Sequence, residues 1–262
     1  MKKGRGFTLV ELLVVIAIIA LLMSIMLPAM SRVRKQAKAV ICQSNLKQWA
    51  LIFAMYTEDY DGQFCEGETP GGQVKLWTGA TRPYYQDPKI RLCSMATKLW
   101  RDGGHGTFGA WDLSGLAGPV QGWGGDDPND YGSYGLNEWL YNPSAEIEYL
   151  WGSPTKFSWR HINVKGAYNI PMFLDCWWLG GGPTHMDSPP VYEGETFDEN
   201  FNDMKRFCLN RHNKAISGCF LDFSIRKIPL KCLWTFKWNR GYDLTLGSPR
   251  WPSWMESYPE CD

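Results

Sequence analysis

The run Gly4-Arg5-Gly6-Phe7-Thr8-Leu9-Val10-Glu11-Leu12-Leu13-Val14-Val15-Ile16-Ala17-Ile18-Ile19-Ala20-Leu21-Leu22 decides how this chain is built. A short basic head, a glycine, a phenylalanine and one carboxylate stand before an otherwise uncharged apolar run. A basic head followed by apolar residues is also the pattern of a secretory signal peptide. Glu11 argues against that reading, because a carboxylate at membrane depth costs about 2.5–3.5 kcal/mol on insertion scales and is normally found with a partner. Cutting the chain between Gly6 and Phe7 would supply one. The new α-amine, charged at its ordinary pKa of about 8, would lie four residues before Glu11, and groups at that spacing share a helix face. Gly6 on the leaving side suits a peptidase cleft that needs close approach to the backbone.

These residues carry a family resemblance. Gly6-Phe7-Thr8-Leu9-Val10-Glu11 resembles the class III leader of type IV pilins and type II secretion pseudopilins. The resemblance implies cleavage after Gly6 by a prepilin peptidase, methylation of the new N-terminal Phe7, and a Glu11 that engages a neighbouring subunit's N-terminus during assembly. Pro28 falls where many pilins carry a helix-breaking proline. Cys42-Gln43-Ser44-Asn45-Leu46-Lys47-Gln48 and Met55-Tyr56-Thr57-Glu58-Asp59-Tyr60-Asp61-Gly62 also resemble a bacterial group of pseudopilin-like proteins with enlarged head domains. That second resemblance favours a secretion-type pseudopilin over a major pilus subunit.

The apolar run from Phe7 to about Met30 is long enough to cross a bilayer of roughly 30 Å as a helix. Pro28 removes one backbone donor and crowds the carbonyl of Ser24, so a kink or a locally melted turn is expected there. Such a break would let a fibre bend, or is a proline tolerated near the membrane exit. Beyond it the helix should continue through Tyr56, because Cys42, Leu46, Trp49, Phe53 and Tyr56 recur at alternating steps of four and three and form one apolar stripe. Lys38, Lys47, Gln48 and Glu58 lie off the stripe. A helix from Phe7 to about Asp59 would be roughly 80 Å long, and Asp61-Gly62 is a turn signal that ends it. The expected organisation is a leader at 1–6, a transmembrane and assembly helix at 7–30, an amphipathic helix at 31–60, and a globular head at 61–262.

With 262 residues, of which 44% are hydrophobic, removing the anchor still leaves enough chain for one globular domain. The formal net charge is zero, which gives no footprint for nucleic acid. Arg32, Arg34, Lys35 and Lys38 cluster directly after the apolar run and suit a membrane surface or a solvated helix. Lys2, Lys3 and Arg5 on the other side balance them, so the positive-inside rule alone leaves orientation open. Cysteine usage adds to the argument. The eight cysteines, Cys42, Cys65, Cys93, Cys176, Cys208, Cys219, Cys232 and Cys261, are an even number without the close spacing of zinc or redox motifs, which favours structural disulfides in an oxidising compartment. Together with the leader, this puts the head outside the cytoplasm: a single-pass bacterial inner-membrane protein with a periplasmic C-terminal domain.

Further along, 63–100 should hold short strands and loops, and 101–130 reads as an irregular insertion. Asp126, Asp127, Asn129 and Asp130 offer oxygens that could hold Ca²⁺, but they lack the EF-hand spacing, and turns favour the same residues. Ser133 to Tyr141 forms a short element, Ile170 to Trp178 reads as a buried strand, and 183–203 as a polar loop. Phe207-Cys208-Leu209, Ala215 to Asp222 and Ser224 to Ile228 look like adjacent antiparallel strands, with Leu230 to Trp238 a closing helix or turn. His212 and Asp222 echo a spacing of the pseudopilin-like relatives, where the aspartate is commonly followed by glycine; here Phe223 follows. Hairpin architecture accounts for the pair.

No serine-hydrolase elbow, helical zinc-protease pair or phosphate-cradling loop is present in the sequence. His105, His161, His185 and His212 are scattered, although folding could collect His185 with Asp187 and Asp175. The expectation is therefore a protein that is not an enzyme and needs no cofactor. Fourteen tryptophans admit two uses. They can fill the core of a small head, or Trp77, Trp123, Trp177, Trp178, Trp251 and Trp254 can present flat faces to a glycan. The expected fold is α+β, one long N-terminal helix packed on a mostly antiparallel sheet with long loops. The expected function is a structural subunit of a pseudopilus or pilus-like fibre, whose partners are the prepilin peptidase/methyltransferase and other pilin-like subunits. A membrane-anchored head that binds a glycan or a secreted protein is the alternative.

Overall fold

The computed structural model describes residues 9–114, 130–196 and 202–261. Its first element is helix α1, Leu9–Asp59. The chain divides into two compact units, Met1–Lys38 and Ala39–Asp262, so α1 contributes to both. Every described residue of the first unit is exposed. Its apolar window has a mean hydropathy of 2.9 and is, by length and composition, able to cross a membrane. The helix runs through Pro28 without a break, which corrects the expectation of a melted turn there. The physical reason is that proline deletes a single backbone bond, while the good helix formers on either side, such as Leu27, Ala29 and Met30, keep the flanking turns closed.

In the second unit α1 is amphipathic. Cys42, Leu46, Trp49, Ala50, Ile52, Phe53, Tyr56 and Thr57 are buried, while Lys47, Gln48 and Glu58 are exposed. The predicted stripe is thus the docking face of the helix. It ends in a turn with Asp61 and Gly62 at φ of 52° and 80°. The Gly62 N–H donates to the Thr57 carbonyl at 2.7 Å, satisfying a terminal carbonyl across a left-handed turn where glycine carries no steric cost.

The head is built on a five-stranded sheet: β1 (Tyr134–Asn137), β2 (Pro171–Asp175), β3 (Gly180–Gly181), β4 (Ala215–Phe220) and β5 (Ile225–Pro229), in the order β3-β1-β2-β4-β5. Only β3 against β1 is parallel; β1-β2, β2-β4 and β4-β5 are antiparallel. The fold is α+β. Strand β2 is central and buried along its whole length, because both faces of the sheet are covered. Phe173 packs against Trp49 and Phe53 of α1, with ring centroids 5.0 and 5.4 Å apart. Leu174 joins the opposite core with Phe207, Leu233 and Trp238. A strand covered on both sides needs no polar alternation, which is why the apolar run at Ile170 was legible as a buried strand.

Several expectations need correction. Phe207-Cys208-Leu209 is not a strand: Met204–Phe207 is a short helix, and the Cys208 N–H donates to the Met204 carbonyl at 3.0 Å. All three residues are buried, so the apolar run carried no periodicity that could separate helix from strand. Residues 63–100 contain, besides two-residue strands, the helix Trp77–Thr81 and several 3-10 turns. Of the eight cysteines expected to form disulfides, two are joined in the structure. Cys232 and Cys261 are bonded, with Cα atoms 5.1 Å apart; the other six are buried, and Cys65, Cys176, Cys208 and Cys219 pack as small apolar core residues. The C-terminal tail is ordered by that bond and by packing of Tyr242, Met255 and Tyr258 into the second core.

Candidate functional site

Two places carry the functional argument, one in each unit. In the first, Glu11 lies near the start of the described part of α1. Gly6 and Phe7 lie outside the described residues. After Glu11 the large apolar residues from Leu12 to Met30 are exposed among the described residues, an extent of apolar surface that marks an interaction site.

The second place is a buried polar node where the second half of α1 meets the head. Cys42 comes from α1, Cys93 from the segment after the 3-10 turn Pro88–Arg91, Asp175 from the end of β2, and Arg211 and His212 from the residues leading into β4. Arg211 is 2% exposed, yet all five of its N–H groups are used. Nε donates to Thr107 O at 2.8 Å, Nη1 to Ser133 O and to Asp175 Oδ1 at 3.3 Å, and Nη2 to Gly109 O at 2.9 Å and Cys176 O at 3.1 Å. A guanidinium satisfied in this way ties four chain segments together.

Asp175 is the counter-ion. Its Oδ2 accepts the Ser217 N–H at 2.8 Å and lies 3.2 Å from His212 Nε2. Burial would raise its pKa, but His212, Arg211 and the Ser217 N–H together hold it below the usual carboxylate range. For His212 burial works downward, and the Asp175 carboxylate, with Cys42 assisting, overrides it and carries the imidazole up to about 9. His212 Nε2 also lies 3.3 Å from Cys93 Sγ, and its Nδ1 is buried without a partner. The Cys42 and Cys93 sulfurs are 2.8 Å apart. As thiols they differ: a hydrogen bond from Cys93, opposed by burial, brings Cys42 down to about 5, whereas burial drives Cys93 upward.

Sequence reasoning did not assemble this node. Its residues are up to 119 positions apart in contact pairs, and no spacing rule joins them. The one signal was Cys42 on the buried stripe of α1. The trio of His185, Asp187 and Asp175 is not assembled as a site: Asp175 is held by Arg211 and His212, while Asp187 accepts from Thr184 and from the Met204 N–H. Asp222 belongs to the β4-β5 hairpin, accepting from Ser224 N and Oγ. Phe223, standing where glycine was expected, has φ of 62°, the left-handed conformation that glycine adopts without strain.

Of the calcium candidates, Asp126, Asp127 and Asn129 lie outside the described residues. Asp130 is buried and paired with Arg82 and Arg91 at 2.5 Å each, so its charge is already answered by two guanidinium groups. The described tryptophans are all buried or half-buried, and eight indole N–H groups, among them Trp49 to Ile90 O and Trp77 to Leu179 O, donate to backbone carbonyls. That is the pattern of amphipathic rings filling a core with their one polar atom satisfied. Trp123 lies outside the described residues. One cleft of about 830 Å³ does bring Trp151 and Trp178 beside Glu138, Asp203 and Arg206.

Comparison with known proteins bears on the N-terminal unit first. Residues 1–27 match the family described as the prokaryotic N-terminal methylation motif. The type IV wide pilus major component PilA4 of Thermus thermophilus is 39% identical over 59 residues, which cover 22% of this chain and 45% of that protein; the match thus spans less than half of the relative's length. The type II secretion system core protein G of Pseudomonas aeruginosa is 28% identical over 140 residues, covering 51% of this chain and 96% of that protein. The second alignment is longer than α1 and its leader and takes in part of the head. No solved structure matches the chain. Both relatives are named as components of a pilus or a secretion system, neither as an enzyme.

Proposed function

We propose, from the premise of a chain that carries the N-terminal segment of type IV pilins and type II secretion pseudopilins, that it is a prepilin-like subunit of a type II secretion pseudopilus or type IV pilus-like fibre. In this reading the chain is anchored in the inner membrane by the first part of α1, with the head on the periplasmic side. A prepilin peptidase cleaves after Gly6 and Phe7 is methylated. Glu11 then engages the N-terminus of a neighbouring subunit, and Pro28 sits within the packed helices of the fibre. Subunits that associate head to tail through one such surface build open helical filaments.

The observation that carries the reading is the contrast within α1. A fully exposed apolar segment beginning with a single carboxylate is followed by a segment committed to a folded head. A subunit that must leave the bilayer and pack into a filament needs a helix whose surface is apolar but unclaimed by its own domain. Mass spectrometry of the mature N-terminus from native membranes tests it: the expected peptide begins at methylated Phe7, and recovery of intact chain from Met1 would overturn it. The cleft holding Trp151 and Trp178 favours one other reading, an anchored head that holds a glycan or secreted substrate. Retention of the full protein on a polysaccharide column, together with its absence from sheared fibres, would select that one.

A further inference from the structure

We propose that Cys42 and Cys93 form a disulfide that fastens the second half of α1 to the head. Their sulfurs, 2.8 Å apart, lie far inside the contact distance of two nonbonded sulfur atoms, so a small approach brings them to the roughly 2.05 Å of an S–S bond. Thiols that merely neighboured each other would separate. Here both are fixed by their surroundings. Cys42 is held on the docking face of α1, and its sulfur accepts the Ser94 N–H at 3.1 Å. Cys93 is pinned by its own N–H, which donates to Ser133 Oγ at 2.6 Å.

The same cluster has the composition of a metal site, since Cys42, Cys93 and His212 place ligand atoms within 4.8 Å of one another. Two considerations favour the covalent bond. Zinc bound at about 2.3 Å by two thiolates in tetrahedral geometry spreads the sulfurs well beyond the distance seen here. The nearest fourth donor, Asp175, already accepts from Ser217 and Arg211 and neutralises the arginine. With the sulfurs bonded, Asp175 still pairs with His212 and Arg211, so the rest of the node keeps its charge balance.

Formation needs an oxidant, and the chemistry names its class: a disulfide-carrying thiol oxidant. One cysteine thiolate attacks the donor disulfide and releases a donor thiolate. The second cysteine then attacks the protein sulfur of the mixed disulfide and releases the other donor thiolate. Two electrons pass to the donor, and the two cysteine protons end on its two thiols. Both sulfurs belong to fully buried residues, so exchange precedes docking of α1, and the finished bond is then shielded from reductants. The proposal rests on the extracytoplasmic placement of the head in the proposed function, because only an oxidising compartment supplies the donor.

Trypsin isolates each cysteine on a short peptide, Ala39–Lys47 for Cys42 and Leu92–Lys98 for Cys93. The full-length protein is purified from native membranes, its free thiols are blocked with N-ethylmaleimide under denaturing conditions without reductant, and the digest is analysed by mass spectrometry. The expected result is one linked species, lighter by two hydrogens than the sum of both peptides and split by reductant. Alkylated Cys42 and Cys93 would overturn the proposal, and the Cys232–Cys261 bond tells why. If that bond is intact, the pairing alone is wrong, and stoichiometric zinc in the same preparation would assign the cluster to a metal. If Cys232 and Cys261 are alkylated too, the placement outside the cytoplasm fails with it.

Discussion

Helix α1 contains two segments that share a backbone conformation and almost nothing else. From Leu9 to Lys38 its side chains are exposed whatever their polarity; from Ala39 to Asp59 a buried stripe faces the head, and the outer face mixes Lys47, Gln48 and Glu58 with exposed Val40, Ile41, Leu51 and Met55. The first segment has apolar residues on every side, so no single face is singled out for a head domain and the whole surface suits lipid or like helices. The second has its apolar residues at helical spacing, so one face docks and the other stays exposed. Continuity of backbone hydrogen bonding thus says little about environment; the distribution of side chains around the axis decides it.

The comparison can be broken at either end. Trp49 is fully buried, packs on Trp77 and Phe173 and donates its indole N–H to Ile90 O at 2.9 Å. Trp49→Ala should therefore destabilise the head by about 3–5 kcal/mol, read as a lower denaturant midpoint of the full-length protein in detergent. Leu21→Ala in the exposed segment should leave the midpoint unchanged; an equal loss from both would abolish the distinction. Arg211→Met tests the node beneath α1. Removing the cation leaves Asp175 buried beside fewer donors, and a loss of about 3–5 kcal/mol is expected, whereas a neutral outcome would mean that the five hydrogen bonds are replaceable.

At the other end, Ile18→Asp should oppose membrane insertion by roughly 2.5–3.5 kcal/mol, with the variant moving from the membrane to the soluble or degraded fraction. An aspartate that leaves fractionation unchanged would show that the segment does not lie in the hydrocarbon. A smaller effect concerns pH. Burial pulls the His212 pKa down, and the Asp175 carboxylate overrides it and raises the pKa above its unfolded value of about 6.5, so the native state binds its proton more tightly. Its stabilising contribution is complete below about pH 6.5 and is lost as pH rises through the raised native value. Thermal unfolding should occur at lower temperature across that window, and less steeply so in His212→Gln. The smallest expected change is Gln48→Ala on the exposed face of α1, within about 0.5 kcal/mol; a larger loss would show that this outer face of the helix is also an interface.

Much of this was legible in the sequence because it depends on local order along the chain. The stripe from Cys42 to Tyr56, the turn at Asp61-Gly62, the buried β2 and the β4-β5 hairpin are all written at fixed short spacings that one element can use. Phe207-Cys208-Leu209 was not legible, because a run buried from all sides shows neither period. At Pro28 the flanking helix formers keep the helix unbroken, where its isolated chemistry also allowed a melted turn.

The sequence by itself determined that a single carboxylate heads an apolar run, that the same helix changes character past the basic cluster, and that a mixed α+β head follows. Only the tertiary structure decided which polar groups meet. Cys42, Cys93, Asp175 and the adjacent pair Arg211-His212 come from four separate segments and are brought together by the packing of α1 and the head segments around the sheet. In that water-poor site, satisfaction of each charge and donor depends on partners that no spacing along the chain can specify.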